Sequence, residues 1–279
     1  MTRALLTALA DLALPGTCAG CGVPRAGPCA GLCEGRCAGL CAGSPAGLRA
    51  GLCRSCAAAL TAGARAADPT PRPPGLPPCR AAADYAGVVR AMLLAYKEHD
   101  RRDVLPALGG ALAGAVAVAA GSGPPGPEPG PVLLVPVPST PAAVRARGGD
   151  HVDRLARAAA ARLRREGWSP RVVRLLAAAR RRRDSAGLNA ADRRANLAGA
   201  FRPRGGSPDL PAAPVVLVDD VVTTGATLAE AAAVLRTLGI GELYAAVVAA
   251  TVRHDSITAC RSVRHAITET GGDETPPSG

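Results

Sequence analysis

Past residue 131 the chain alternates between two kinds of apolar segment. "VLLVPVPS" (132–139), "VVLVDD" (215–220) and "ELYAAVVAAT" (242–251) are nearly unbroken apolar runs of strand length, and "RVVRLL" (171–176) is a shorter one. Between them, "AAVRARGGDHVDRLARAAAARLRREG" (142–167) and "ATLAEAAAVLRTLG" (226–239) space their apolar residues three and four apart, the helical period. "LNAADRRANLAGAF" (188–201) reads as a helical turn leading to an edge strand. Strands that are apolar on both faces and separated by helices predict an α/β fold, a mostly parallel sheet with helices on each side. Upstream, residues 84–120 suit one or two helices.

Proline and glycine mark the expected boundaries. "DPTPRPPGLPP" (68–78) marks 61–80 as a linker, and "GSGPPGPEPGP" (121–131) excludes helix and central strand. The expected organisation is a Cys-rich module (1–60), the linker (61–80), an α/β domain (81–253) and a disordered tail (254–279).

Composition narrows this picture. Aromatic residues make up 2% of the 279, so the core must be built from Val, Leu and Ala, with close approach of helices. The net charge of +11 is carried almost wholly by Arg, Lys97 being the one lysine. Such a surface suits an anionic partner, but the joint abundance of Arg, Ala, Gly and Pro equally fits a bias in base composition. Asp11 interrupts the short apolar stretch at the N-terminus, and "LPALGGALAGAVAVAAG" (105–121) is short and Ala/Gly-rich for a membrane span. The expectation is a soluble, cytoplasmic protein with no membrane span.

Nine of the ten cysteines precede residue 80. Cys18–Cys21 ("CAGC") and Cys53–Cys56 ("CRSC") are two C-x-x-C knuckles, and four thiolates satisfy tetrahedral Zn²⁺, which points to a structural zinc site. Between them Cys29, Cys33, Cys37 and Cys41 recur every four residues in "CAGLCEGRCAGLCAG"; a second metal and a low-complexity insertion both remain open.

The chemistry concentrates at "VVLVDDVVTTGATL" (215–228). In an open parallel sheet, ligands bind beyond the carboxyl ends of strands. Asp219 and Asp220 fall at such an end, and Thr223, Thr224, Gly225, Ala226 and Thr227 open the next helix. Main-chain amides at a helix start, aided by threonine hydroxyls, cradle a phosphate monoester. The carboxylates would repel that phosphate, but they accept hydrogen bonds from vicinal hydroxyls. Phosphate plus diol describes a ribose 5-phosphate. A Walker-type nucleotide site would need a Gly-rich loop ahead of a lysine, and "LLAYKEHD" around Lys97 has none.

"VVLVDDVVTTGAT" resembles the signature for phosphoribosyl pyrophosphate (PRPP) in type I phosphoribosyltransferases. The knuckles, "YAGVVRAMLLAYKEHDRR", "VPVPS", "RARG" and "RRDSAGLNAADRRANLAGAF" extend the likeness to the ComF family of competence proteins, across most of residues 12–252. The chain departs from the family pattern at Ser185 and in "GGDHVD" after Arg147. The resemblance implies a type I phosphoribosyltransferase-like sheet with an N-terminal zinc ribbon. It implies that Asp219 and Asp220 bind the ribose hydroxyls of PRPP as the catalytic acids, and that residues 223–227 bind its 5-phosphate. It further implies that Ser139 and Thr140, with Arg145 or Arg147, approach the pyrophosphate, and that Mg²⁺ accompanies PRPP. Lys97 stands as a charge on pyrophosphate, a nucleic-acid contact or a solvated lysine. The activity implied is transfer of ribose 5-phosphate to an acceptor, or sensing of PRPP. The alternative is a single-stranded DNA-binding factor in DNA uptake, acting with competence or recombination proteins and using the patch Arg180, Arg181, Arg182 and Arg183.

Overall fold

A computed structural model describes residues 17–23, 51–61, 63–121, 129–179, 199–205 and 210–251. Cys29, Cys33, Cys37, Cys41, the Arg180–Arg183 patch, most of the 185–201 block and the tail lie outside the described residues.

The elements, in chain order, are α1 (Arg54–Ala58), β1 (Arg65–Ala66), β2 (Cys79–Asp84), α2 (Gly87–Glu98), α3 (Leu105–Ala120), β3 (Pro131–Pro136), α4 (Pro141–Ala146), α5 (His151–Arg165), β4 (Ser169–Val172), β5 (Leu176–Ala178), β6 (Phe201–Pro203), β7 (Val215–Val222), α6 (Ala226–Thr237) and β8 (Leu243–Ala250). Six strands form one sheet in the order β1-β2-β8-β7-β3-β4. All its neighbours pair in parallel except β1 with β2. β5 and β6 make a separate antiparallel ribbon. The architecture is therefore the mostly parallel α/β sheet that the periodicities predict.

The unbroken apolar runs have a direct cause, because both faces of the sheet are covered. Val132 and Leu134 of β3 and Val216 and Val218 of β7 join a core shared with α2, α3 and α5. Leu133, Val135, Val215 and Leu217 face the opposite way, into a core with α6 and the β5–β6 ribbon. Few aromatics fill these layers, so close backbone approach replaces bulk. At Gly109 of α3 a Cβ would fall 2.5 Å from the Ala158 Cβ of α5. The span Arg102–Ala120 is long and apolar enough to cross a membrane (mean hydropathy 1.7). Here it lies in the core, with Leu108, Leu112 and Val116 buried against the sheet and α5.

Two segments take forms that the sequence pattern does not announce. β2, "CRAAAD", has no β-branched residue, and it is strand because β8 pairs with it from Cys79↔Ala245 to Asp84↔Ala250. The Pro-rich stretch ahead of it is packed on the domain. Ala67 and Leu76 are buried in the second core, Arg72 donates to the Leu76 carbonyl at 2.8 Å and ion-pairs with Asp68, and Arg236 of α6 donates to the Gly75 carbonyl at 2.9 Å.

The cysteine module is also continuous with the domain. Cys18, Leu52, Cys56 and Leu60 share the first core with Met92 and Val104. Arg101 clasps it, donating to the Thr17 carbonyl and to Asp103, each at 2.9 Å.

Candidate functional site

Two half-sites stand at the carboxyl edge of the sheet, one built from β7 and α6, the other from β3 and the start of α5. β7 passes through Thr223 and Thr224 into α6, with Gly225 at the N-cap. Gly225 has φ +73°, a left-handed conformation that glycine adopts without cost, and a Cβ there would meet Leu76 Cδ2 and Pro69 Cγ at 3.0 Å. The Pro-rich segment thus presses on this turn. From the other side Thr251 braces it, its N–H on the Val222 carbonyl (3.0 Å) and its hydroxyl on the Thr223 carbonyl (3.3 Å). The first N–H groups of a helix have no partner within it. The first N–H of α6, on Ala226, is held only loosely by Thr224 Oγ1 at 3.5 Å, and the first turn carries no acid. Thr223 and Thr224 are exposed and Thr227 half-buried, while Gly225 and Ala226 form the floor.

The adjacent carboxylates behave differently. Successive strand residues face opposite sides of a sheet. Asp220 turns toward α2 and α5 and is buried, 5% exposed. Its Oδ2 accepts from Lys97 Nζ at 2.9 Å and lies 3.2 Å from His151 Nε2, and its Oδ1 accepts from the Val221 N–H at 2.8 Å. Burial opposes its charge, but the His151 hydrogen bond and the Lys97 ammonium outweigh that and hold its carboxyl below the usual range. Asp219 has no such cation in contact among the described residues. It is partly exposed, and its Oδ1 accepts the Asp220 N–H at 2.8 Å. Desolvation and the charge of Asp220 push its carboxyl well above the ordinary carboxylate range. Lys97 feels the converse: burial disfavours its charge, Asp220 restores it, and the balance raises the ammonium above its usual value.

The second half-site starts where β3 ends. Thr140 caps α4, accepting the Ala143 N–H at 3.2 Å, and Gly148 and Gly149, at φ +62° and +150°, split the expected single helix into α4 and α5. Asp150 caps α5, accepting from the N–H of Val152 (3.1 Å) and Asp153 (3.4 Å). It also accepts the Ser139 N–H and hydroxyl, both at 3.1 Å. Arg147 reaches Glu98 of α2 at 3.2 Å, a largely exposed pair, and Arg145 is exposed.

The tertiary fold thus connects Lys97, Ser139, Asp150, His151 and Asp220 by direct hydrogen bonds. Of these, His151 and Asp150 carry no role assigned from sequence. The signal available was "GGDH": a helix breaker, a capping residue and one of four histidines, directly after the short helix α4. Tyr96 completes the setting, its hydroxyl donating to the His151 carbonyl at 2.8 Å while its ring meets the imidazole edge-on at 6.4 Å.

Near Met92 of α2, Cys18, Cys21, Cys53 and Cys56 converge, with all four sulfurs within 4.8 Å of one another. Cys21 and Cys53 Sγ are 3.8 Å apart. Zn–S bonds of ~2.3 Å in a tetrahedron separate sulfurs by about 3.8 Å, so the spacing fits zinc. The Cys56 hydrogen bond draws the Cys18 thiol down to about 4, while the same bond, with burial, drives Cys56 far up and burial pushes Cys21 up to about 11. Each thiolate makes the next more costly, and a bound cation removes that penalty. Gly20 permits the cluster, since a Cβ there would lie 2.8 Å from Cys56 Sγ.

No family model matches the chain. Over 57 residues it is 49% identical to competence protein F of Haemophilus influenzae (strain ATCC 51907 / DSM 11121 / KW20 / Rd). The match supports the ComF family. It covers 20% of this chain and spans a quarter of that curated relative. This local likeness, a cysteine cluster able to hold zinc and a mostly parallel α/β sheet agree with the resemblance read from the motifs.

Proposed function

We propose that the carboxyl edge of β3 and β7 binds PRPP with Mg²⁺, and that the protein transfers its ribose 5-phosphate to an acceptor. The observation that carries this reading is the start of α6, which opens through a left-handed glycine from the strand bearing Asp219 and Asp220, with no acid in its first turn. Amide dipoles, the helix macrodipole and the hydroxyls of Thr223, Thr224 and Thr227 suit the 5-phosphate. Asp219, partly exposed and with no described cation in contact, is the acid placed to accept from ribose hydroxyls. It also fits Mg²⁺, since a cation relieves the cost of ionising it. Mg²⁺ would supply charge neutralisation on the diphosphate. Lys97, 33% exposed at its side chain, and the Ser139–Thr140 turn face the same region from α2 and β3. Transfer then needs little covalent help from the protein. The departing pyrophosphate and the positively charged sugar are stabilised by fixed dipoles and charges, and losing one such donor costs about 2.7–4 kcal/mol of barrier.

The test is calorimetry of Mg²⁺–PRPP with the natural protein and with Asp219→Asn. The natural protein should bind and the variant should lose most of the affinity. Equal affinity removes the site assignment. A screen for pyrophosphate release across bases then separates transferase from PRPP sensor.

One observation favours a second reading, binding of single-stranded DNA. A hollow of about 340 Å³ between α5 and β4 is lined by Arg157, Arg164 and Arg171 over Ala160 and Val172. Arg157 shares Asp153 with Arg174, so two guanidiniums meet one carboxylate beside it. Binding through such a surface is steeply salt-dependent. An oligonucleotide titration whose salt slope is unchanged on replacing these arginines with serine rejects it.

A further inference from the structure

Asp220 is held by the protein from three directions. Oδ2 faces two cationic or polar donors, Lys97 Nζ at 2.9 Å and His151 Nε2 at 3.2 Å, and Oδ1 holds the next main-chain N–H. A carboxylate offers about four acceptor positions, and three are filled by the protein. His151 is 7% exposed, and its other nitrogen, Nδ1, lies 3.2 Å from Ser139 Oγ. A continuous chain of contacts therefore runs from the ammonium of α2 through the acid of β7 and the imidazole of α5 to the turn after β3.

We propose that His151 is a positioning residue, and that the twin acids divide their work. Asp220 and His151 form a strut that fixes the Lys97 ammonium and the Ser139 turn in one relative geometry, as a clamp for the diphosphate. Asp219 alone meets the ribose. This inference rests on the PRPP reading above and goes past it by assigning different parts of the ligand to the two acids.

The geometry explains why a strut is needed. Lys97 has several rotatable bonds and costs more entropy to immobilise than most side chains. One of its three N–H donors is spent on Asp220, which orients the other two. Asp220 in turn is held by His151, whose ring is fixed by Tyr96 edge-on and by its place at the first position of α5. The Ser139 N–H and hydroxyl are tied to Asp150, so the turn and the start of α5 move as one body. The order Asp220–His151–Ser139 also repeats the connectivity of a serine-hydrolase triad. The Ser139 hydroxyl, however, has one proton and two acceptors in reach, Asp150 Oδ1 at 3.1 Å being as close as His151. That arrangement anchors the serine instead of freeing it as a nucleophile.

The experiment compares Mg²⁺–PRPP with ribose 5-phosphate, which lacks the diphosphate. His151→Leu should weaken PRPP on the order of tenfold, the loss expected when a charged donor is misplaced, and leave ribose 5-phosphate unchanged. His151→Gln, which keeps a donor and an acceptor, should recover most of the loss. Lys97→Met should reproduce the selective loss, and His151→Leu should add little to it, because both act on one contact. If His151→Leu does not fold, the Lys97→Met and His151→Gln comparisons decide the same question. Equal loss for both ligands, or full additivity with Lys97→Met, overturns the strut. Failure of the natural protein to bind PRPP is a different result, which removes the PRPP reading itself.

Discussion

The turn that opens α6 can be tested by one methyl group. Gly225→Ala keeps the sequence otherwise intact and adds a Cβ at φ +73°. A left-handed conformation costs a non-glycine residue about 1 kcal/mol. The new atom would also stand 3.0 Å from Leu76 Cδ2 and from Pro69 Cγ. The leucine tip can rotate away, but the proline ring moves only with its segment, which Arg72 and Arg236 tie down. Overpacking of this kind adds about 1–3 kcal/mol, for a total of about 2–4 kcal/mol. Gly239, just past the other end of the same helix, is the internal control: its φ is +83°, and a Cβ added there would meet nothing within 4 Å among the described residues. Gly239→Ala should cost about 1 kcal/mol, the backbone contribution alone. Urea unfolding measures both. With a slope of about 3 kcal/mol/M, the Gly225 variant should unfold roughly 0.7 M or more below the natural protein and the Gly239 variant about 0.3 M below it. Equal midpoints for the two variants would refute the claim that the Pro-rich segment packs against the turn. PRPP affinity should fall in Gly225→Ala only, since only that turn presents the amides.

Two other outcomes follow from the same structure. Protein purified without chelator should carry one zinc on Cys18, Cys21, Cys53 and Cys56, and Gly20→Ala should lose it, because the added Cβ lies 2.8 Å from Cys56 Sγ; metal analysis reads both. Asp219, with its carboxyl raised by desolvation and Asp220, keeps a proton in the folded state that the unfolded chain has released. Stability should then decline as pH rises from the ordinary carboxylate range through the raised folded value, and Asp219→Asn should flatten that slope in pH-dependent unfolding. A slope unchanged by the substitution would show that Asp219 is not the group titrating.

Legibility from sequence followed the strength of local pattern. β3, β7 and β8 announce themselves because burial on both faces demands unbroken apolar runs, and α6 ends near Gly239, as its period indicates. The pair Asp219–Asp220 and the glycine after it are legible because a strand end followed by a small-residue turn is a local feature. β2 is not legible: alanine has no strand preference, and only the partner β8 makes it one. Nor is the break between α4 and α5 plain from period alone, although Gly148, Gly149 and the Asp150 cap mark it.

The sequence by itself determined the alternation of strands and helices, the spacing of four cysteines in two knuckles, and an acid pair beside a small-residue turn. Each of these is written in short contiguous stretches, where backbone preference and side-chain period act directly. Only the tertiary structure decided how the two acids differ. Strand alternation sends neighbours to opposite faces, and what waits on one face, Lys97 and His151, comes from positions 123 and 69 residues away in the chain. The low dielectric of that buried face makes those partners matter, and no local pattern encodes them.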